Sequence, residues 1–148
     1  MVCMTYSQKA STTFSVTSWE ETVLVDIDGT GSERSGTYYP DRGITQATVG
    51  YAYSGEIEGT SQVAYVMTYK SGQAPIVAFE YFEGSIGGHE GTCVFRHTGT
   101  HGATDVHDTI EVVEGMSTGV LASLRGSAVV DIGGEHEGFG FVLRYELV

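Results

Sequence analysis

Basic residues are scarce in this chain of 148 residues: seven lysines and arginines stand against nineteen aspartates and glutamates, a formal net charge of −12. So few cations cannot neutralise a run of phosphates, and no basic cluster offsets the sum, so no nucleic-acid partner is expected. Long apolar runs are missing too. None approaches the roughly 20 residues that a spanning helix needs, so no membrane partner is expected either. Two cysteines, Cys3 and Cys93, do not make a disulfide framework. The N-terminal MVCMTYSQKA lacks the charged-then-apolar pattern of a signal peptide, and a reducing cytoplasm is the simplest home. No zinc-ligand spacing joins the five histidines. His97, His101 and His107 straddle one expected turn, and strand alternation puts His107 on the opposite face from Asp108, so no metal site is expected. A nucleophile-elbow sequence is lacking as well, which removes the serine-triad reading.

Proline is rare, at two residues, whereas glycine is abundant, at 21. The glycines recur roughly every ten residues between short apolar runs, which is the punctuation of strands and not of a flexible linker. The length suits one domain, residues 1–148, with a sizeable core. No amphipathic helix stands out. The clearest stretch runs from Ser61 to Thr98 and reads as three strands joined by two turns, one near Ser71-Gly72-Gln73 and one at Gly87-Gly88. If Ile86 pairs with His89, period-two counting places Glu80, Phe82, Cys93, Phe95 and His97 on one face. Val63, Tyr65, Met67, Tyr69 and Ala78 join it across the first turn. This face is apolar except for a carboxylate, an imidazole and tyrosine hydroxyls, and an ionisable pair in apolar surroundings must be paired, shifted or used.

The rest of the chain falls into further short strands. Ser11 to Trp19 alternates, with Phe14 and Val16 on one face and Ser15, Thr17 and Trp19 on the other. Residues 1–10 are expected to fray. Residues 28–42 are polar and glycine-rich and read as a long surface loop in which Tyr38-Tyr39-Pro40 would cap an opening. Val49, Tyr51 and Tyr53 share one parity, with Gly50 as a candidate bulge. Gly99 to Gly102 is expected to turn the chain into a strand whose inward parity, Val106, Asp108, Ile110 and Val112, carries Asp108 with it. A helical turn is expected at Leu121 to Leu124, and a last hairpin across Gly133-Gly134. About eight strands in sequential hairpins predict an all-β fold, a single antiparallel eight-stranded up-and-down barrel, because closure removes exposed edges. A barrel of that size is filled by side chains or holds one small ligand.

Four segments then carry a resemblance: VTSWEE (Val16 to Glu21), YSGEIEGTSQVAYVMTY (Tyr53 to Tyr69), AFEYFEGSIGGHEGTCVFRHTG (Ala78 to Gly99) and GVLASLRG (Gly119 to Gly126). Together they resemble an uncharacterised bacterial family with the allene-oxide-cyclase-like β-barrel fold. The resemblance covers most of the chain in order and omits residues 28–42. Arg96 stands where relatives commonly carry glutamine; parity turns it outward. The resemblance implies a barrel that forms dimers or trimers. It also brings three activities found around this fold: cofactor-free cyclisation of fatty-acid-derived molecules, cyclisation of polyketide-like ones, and an aspartic-type peptidase.

On these residues the leading expectation is a cofactor-free cyclase or isomerase acting on an apolar small molecule. Glu80, His97 and Asp108 form its acid–base cluster, and Asp108 is expected close to Phe95 and His97. Tyr53, Tyr65, Met67, Phe82, Cys93 and Phe95 are the candidate substrate contacts, with Tyr65 as a donor. A non-catalytic binding barrel using the same cavity is one alternative, and a filled barrel whose role lies in oligomerisation or partner contact is another. A buried network that only fixes register, and a cysteine that only packs, are the structural alternatives. The peptidase reading needs Glu80 and Asp108 to share a proton, without the usual Asp-Thr-Gly setting.

Overall fold

In a computed structural model of the chain, residues 6–70, 72–102, 105–132 and 139–148 are described. Their strands are β1 (Gln8–Asp26), β2 (Gly31–Arg34), β3 (Thr37–Pro40), β4 (Arg42–Gly55), β5 (Ile57–Lys70), β6 (Gln73–Ile86), β7 (His89–Gly102), β8 (Val106–Val112), β9 (Thr118–Gly119), β10 (Leu124–Ile132) and β11 (Phe139–Leu147). Among the described residues no helix is long and apolar enough to cross a membrane.

Eight of these strands follow one another around a closed antiparallel ring, β1-β4-β5-β6-β7-β8-β10-β11, with β6 paired to β7 and β11 back to β1. The expected up-and-down barrel is therefore present. Its register hangs on the Gly87-Gly88 turn. Both glycines have positive φ, 59° and 85°, the geometry a two-residue hairpin needs, and Ile86 faces His89 across it. Alternation from that point buries Glu80, Phe82, Cys93, Phe95 and His97 on the inner face. Arg96 points out, where it pairs with Glu111 at 2.8 Å.

The two ends of the barrel differ. At the end carrying Gly87, Ile57, Ile86, Leu121, Leu124 and Leu143 fill the interior, each at most 2% exposed. At the other end β2 and β3 form a separate two-stranded hairpin. The expected long loop is thus an ordered hairpin. Tyr38 ties it to the barrel by donating to Asp26 Oδ2 at 2.6 Å, and Pro40 is buried.

Other expectations change with the register. Gln8 to Ala10 do not fray: they pair with Tyr145 to Leu143 of β11, because Ala10 is fully buried and anchors the strand. The bulge lies in β1, opposite Gly50 and not at it: Val16 faces Tyr51 and Ser18 faces Gly50, leaving Thr17 as the extra residue. An added residue reverses parity, so Trp19 faces Val49 and joins the side of Phe14 and Val16, contrary to the alternation count. The turn expected at Gly99 to Gly102 is not there, since β7 pairs with β8 as far as His101 opposite Val106. Residues 120–123 are turns closed by hydrogen bonds from the Ala122 N–H to the Gly119 carbonyl and from the Leu124 N–H to the Leu121 carbonyl, not a helical segment. Ser71, Cys3 and the Gly133-Gly134 turn lie outside the described residues.

Candidate functional site

The mouth half of the interior concentrates the polar groups. Glu80 is wholly buried and uses both oxygens: Oε1 lies 2.6 Å from His97 Nε2, and Oε2 accepts from the Tyr53 hydroxyl at 2.5 Å. An ionised carboxylate only accepts, so Nε2 donates to it, and in the neutral imidazole Nδ1 is the acceptor. His97 Nδ1 is itself buried and has no protein partner.

One strand away, His101 Nε2 lies 3.0 Å from Asp108 Oδ2. The other oxygen, Oδ1, is buried and unpartnered. Gly99 sits directly opposite Asp108, and a Cβ there would lie 2.2 Å from Oδ1 and 2.1 Å from the His107 carbonyl oxygen. The absent side chain is the space that Asp108 occupies. Asp108 therefore pairs with His101 and not with His97, so the expected three-residue cluster is two carboxylate–imidazole pairs. Neither carboxylate bonds to the other, so the proton-sharing pair of an aspartic peptidase is not formed.

His97, His101 and Asp108 line one cavity of about 130 Å³, with Glu80 behind His97 and outside the lining; its other walls include Phe14, Tyr51, Tyr53, Tyr65 and Ile110. The Tyr51 and Tyr65 hydroxyls bond to each other. Burial pushes the phenols of Tyr51, Tyr53 and Tyr65 above the usual tyrosine value, and the Glu80 charge adds to it in all three. They are donors that stay protonated. In a hydroxyl pair one group donates to the other, which keeps its own O–H free for a third partner.

A larger cavity of about 830 Å³ lies at the mouth, beneath the β2–β3 hairpin. Exposed polar groups line much of it, Arg34, Asp41 and Arg42 among them, whereas His97 and Asp108, which hold two of the four buried unpartnered side-chain atoms among the described residues, line the smaller chamber. Trp19 and His101 line both. Among the expected substrate contacts, Tyr53 and Tyr65 line the inner chamber and Met67 the outer one. Phe82, Cys93 and Phe95 line neither; they are fully buried towards the filled end. Burial also pushes the Cys93 thiol up, the Glu80 charge adding to it, which opposes a thiolate nucleophile.

His101 continues the inward parity of Cys93, Phe95 and His97, so counting past Thr98 finds it. Trp19 had no such signal, because a bulge does not show in the alternation. The sequence model of a family described as protein of unknown function, DUF3224, matches residues 10–145. The chain belongs to the DUF3224 family. The segment resemblance had pointed to an uncharacterised bacterial family, and this is one. A crystal structure of a protein with unknown function from the DUF3224 family of Shewanella oneidensis MR-1 is similar to this chain at 22% identity and a TM-score of 0.66. The match covers 95% of this chain and 98% of that one, and it shows the fold that DUF3224 members share. No curated protein matches the chain.

Proposed function

We propose that this DUF3224 barrel is a cofactor-free isomerase or cyclase that moves a proton within a small, apolar, unsaturated metabolite of polyketide or lipid type. One observation carries the reading: two buried acceptors, His97 Nδ1 and Asp108 Oδ1, lack partners beside the same apolar-walled chamber. Leaving such atoms unpaired costs about 1–3 kcal/mol each, so the chamber favours a guest that brings hydroxyl or acidic C–H donors.

The chemistry follows from the atoms. His97 Nδ1 takes a proton from the carbon beside a ligand carbonyl. The C–H electron pair becomes a C=C bond, and the negative charge moves to oxygen, where the free O–H of the Tyr51–Tyr65 pair stabilises it. The imidazolium returns the proton at the far carbon, and the double bond ends in conjugation. Glu80 holds the imidazole in the required tautomer, and Tyr53 holds Glu80. The scheme calls for no cofactor.

Isomerisation of 3-cyclohexen-1-one to 2-cyclohexen-1-one, followed by the ultraviolet absorbance of the conjugated product, tests this. Turnover above that of free imidazole is expected, falling about 100-fold or more in His97→Gln. A rate indifferent to His97 would overturn the proposal. A second reading, a binding barrel without turnover, is favoured by the separation of Asp108 from the Glu80–His97 pair. It predicts phenol binding with no isomerisation.

A further inference from the structure

We infer that Trp19 is a specificity-determining partition, held in place by Glu21, that limits the inner chamber to ligands of about one ring. The inference rests on the inner chamber being the ligand site. Trp19 and His101 line both cavities, and the indole, with 40% of its surface exposed, is the larger part of the wall they share. Its ring stacks on Tyr65, centroids 5.9 Å apart and planes 27° from parallel. Its Nε1 donates to Glu21 Oε1 at 2.9 Å. The other Glu21 oxygen accepts from Thr45 at 2.5 Å and from Tyr69 at 2.7 Å. Three donors thus fix one carboxylate, and the carboxylate fixes the indole. Tyr69 also packs on Tyr39 of the β2–β3 hairpin, so the mouth structure bears on the same anchor.

Size gives the partition its consequence. A chamber of about 130 Å³ is close to the apolar cavity of about 150 Å³ that takes a single benzene ring. The vestibule, at about 830 Å³, has room for far more. With Trp19 in place a one-ring phenol reaches His97, whereas a two-ring 1-naphthol stays in the vestibule. Glu21 is a positioning residue: it acts only through the indole.

Calorimetric titration of phenol and of 1-naphthol into the wild type, Trp19→Ala, His97→Gln and the double variant tests this, with thermal melts confirming that each is folded. In the wild type, His97→Gln is expected to weaken phenol about tenfold and to leave 1-naphthol within about twofold. In the Trp19→Ala background, both ligands should weaken about tenfold with His97→Gln. Asp108→Asn supplies the same comparison if His97→Gln does not fold. Glu21→Ala should behave like Trp19→Ala and red-shift the emission of the sole tryptophan, while Glu21→Gln, which keeps an accepting oxygen, should restore both. If 1-naphthol already depends on His97 in the wild type, Trp19 excludes nothing and the inference falls. If phenol binds without regard to His97, or does not bind, the inner-chamber reading falls first and takes the partition with it.

Discussion

Glu80→Gln isolates the tautomer on which the site depends. In the native protein both Glu80 oxygens are used, one with His97 Nε2 at 2.6 Å and one with the Tyr53 hydroxyl at 2.5 Å. Glutamine offers one acceptor and one donor in nearly the same volume. Either its oxygen keeps Tyr53 and its amide faces Nε2, which moves the imidazole proton to Nδ1, or its amide donates to the Tyr53 hydroxyl oxygen and its oxygen keeps Nε2–H. Two charge-assisted bonds of about 1.5–3 kcal/mol become neutral ones of about 0.5–1.5 kcal/mol. Relief of the buried charge offsets part of that loss. The net cost is about 1–2 kcal/mol, or about 3–8 °C in melting temperature for a domain of this size. Glu80→Ala strands both donors and opens a void, at about 3–5 kcal/mol. Urea denaturation followed by Trp19 fluorescence reads the stabilities, and nitrogen-15 correlation spectra of the imidazole read the tautomer. A wild-type proton on Nδ1, or an alanine variant as stable as the glutamine one, would refute the reasoning.

Three further outcomes are expected. Gly99→Ala should cost about 1–3 kcal/mol and weaken phenol binding, because its Cβ lands 2.2 Å from Asp108 Oδ1; an unshifted melting temperature would contradict this. On the alkaline side the sign follows from burial. Tyr51, Tyr53 and Tyr65 hold their protons more tightly folded than unfolded, so the stability they contribute is complete below about pH 10 and is lost as pH rises beyond it. Phenolate absorbance should therefore show these three of the nine tyrosines ionising only as the circular dichroism is lost, and full titration of a folded protein would contradict the burial argument. In a Cys3→Ser variant, Cys93 should resist an aromatic disulfide reagent until denaturant is added, since its thiol is fully buried and pushed up; rapid native labelling would contradict it.

How much of this was legible follows from particular residues. Gly87-Gly88 pins one turn, and from it simple alternation reaches Val63, Glu80 and His97 correctly, because no bulge interrupts the paired stretches between them. The same counting fails for Trp19, where Thr17 adds a residue that composition does not announce. It places Asp108 inside but beside the wrong histidine, since β7 stays paired through His101 and the register of β8 slides with it. Residues 28–42 read as loop because their hairpin is short and polar, and what orders it is a single side-chain bond from Tyr38 to Asp26 with burial of Pro40, neither of which shows in alternation. Nothing in strand periodicity distinguishes the filled end, where Phe82 and Phe95 pack, from the end that holds a chamber. That difference arises from how facing strands fill the same cross-section.

The most direct test of the account is the nitrogen-15 signal of His97 during a phenol titration. The proposed site predicts that Nδ1 moves towards a hydrogen-bonded shift as phenol saturates, while Nε2, already held by Glu80, stays in place. An Nδ1 signal that ignores saturating phenol, or a response confined to His101, would contradict it.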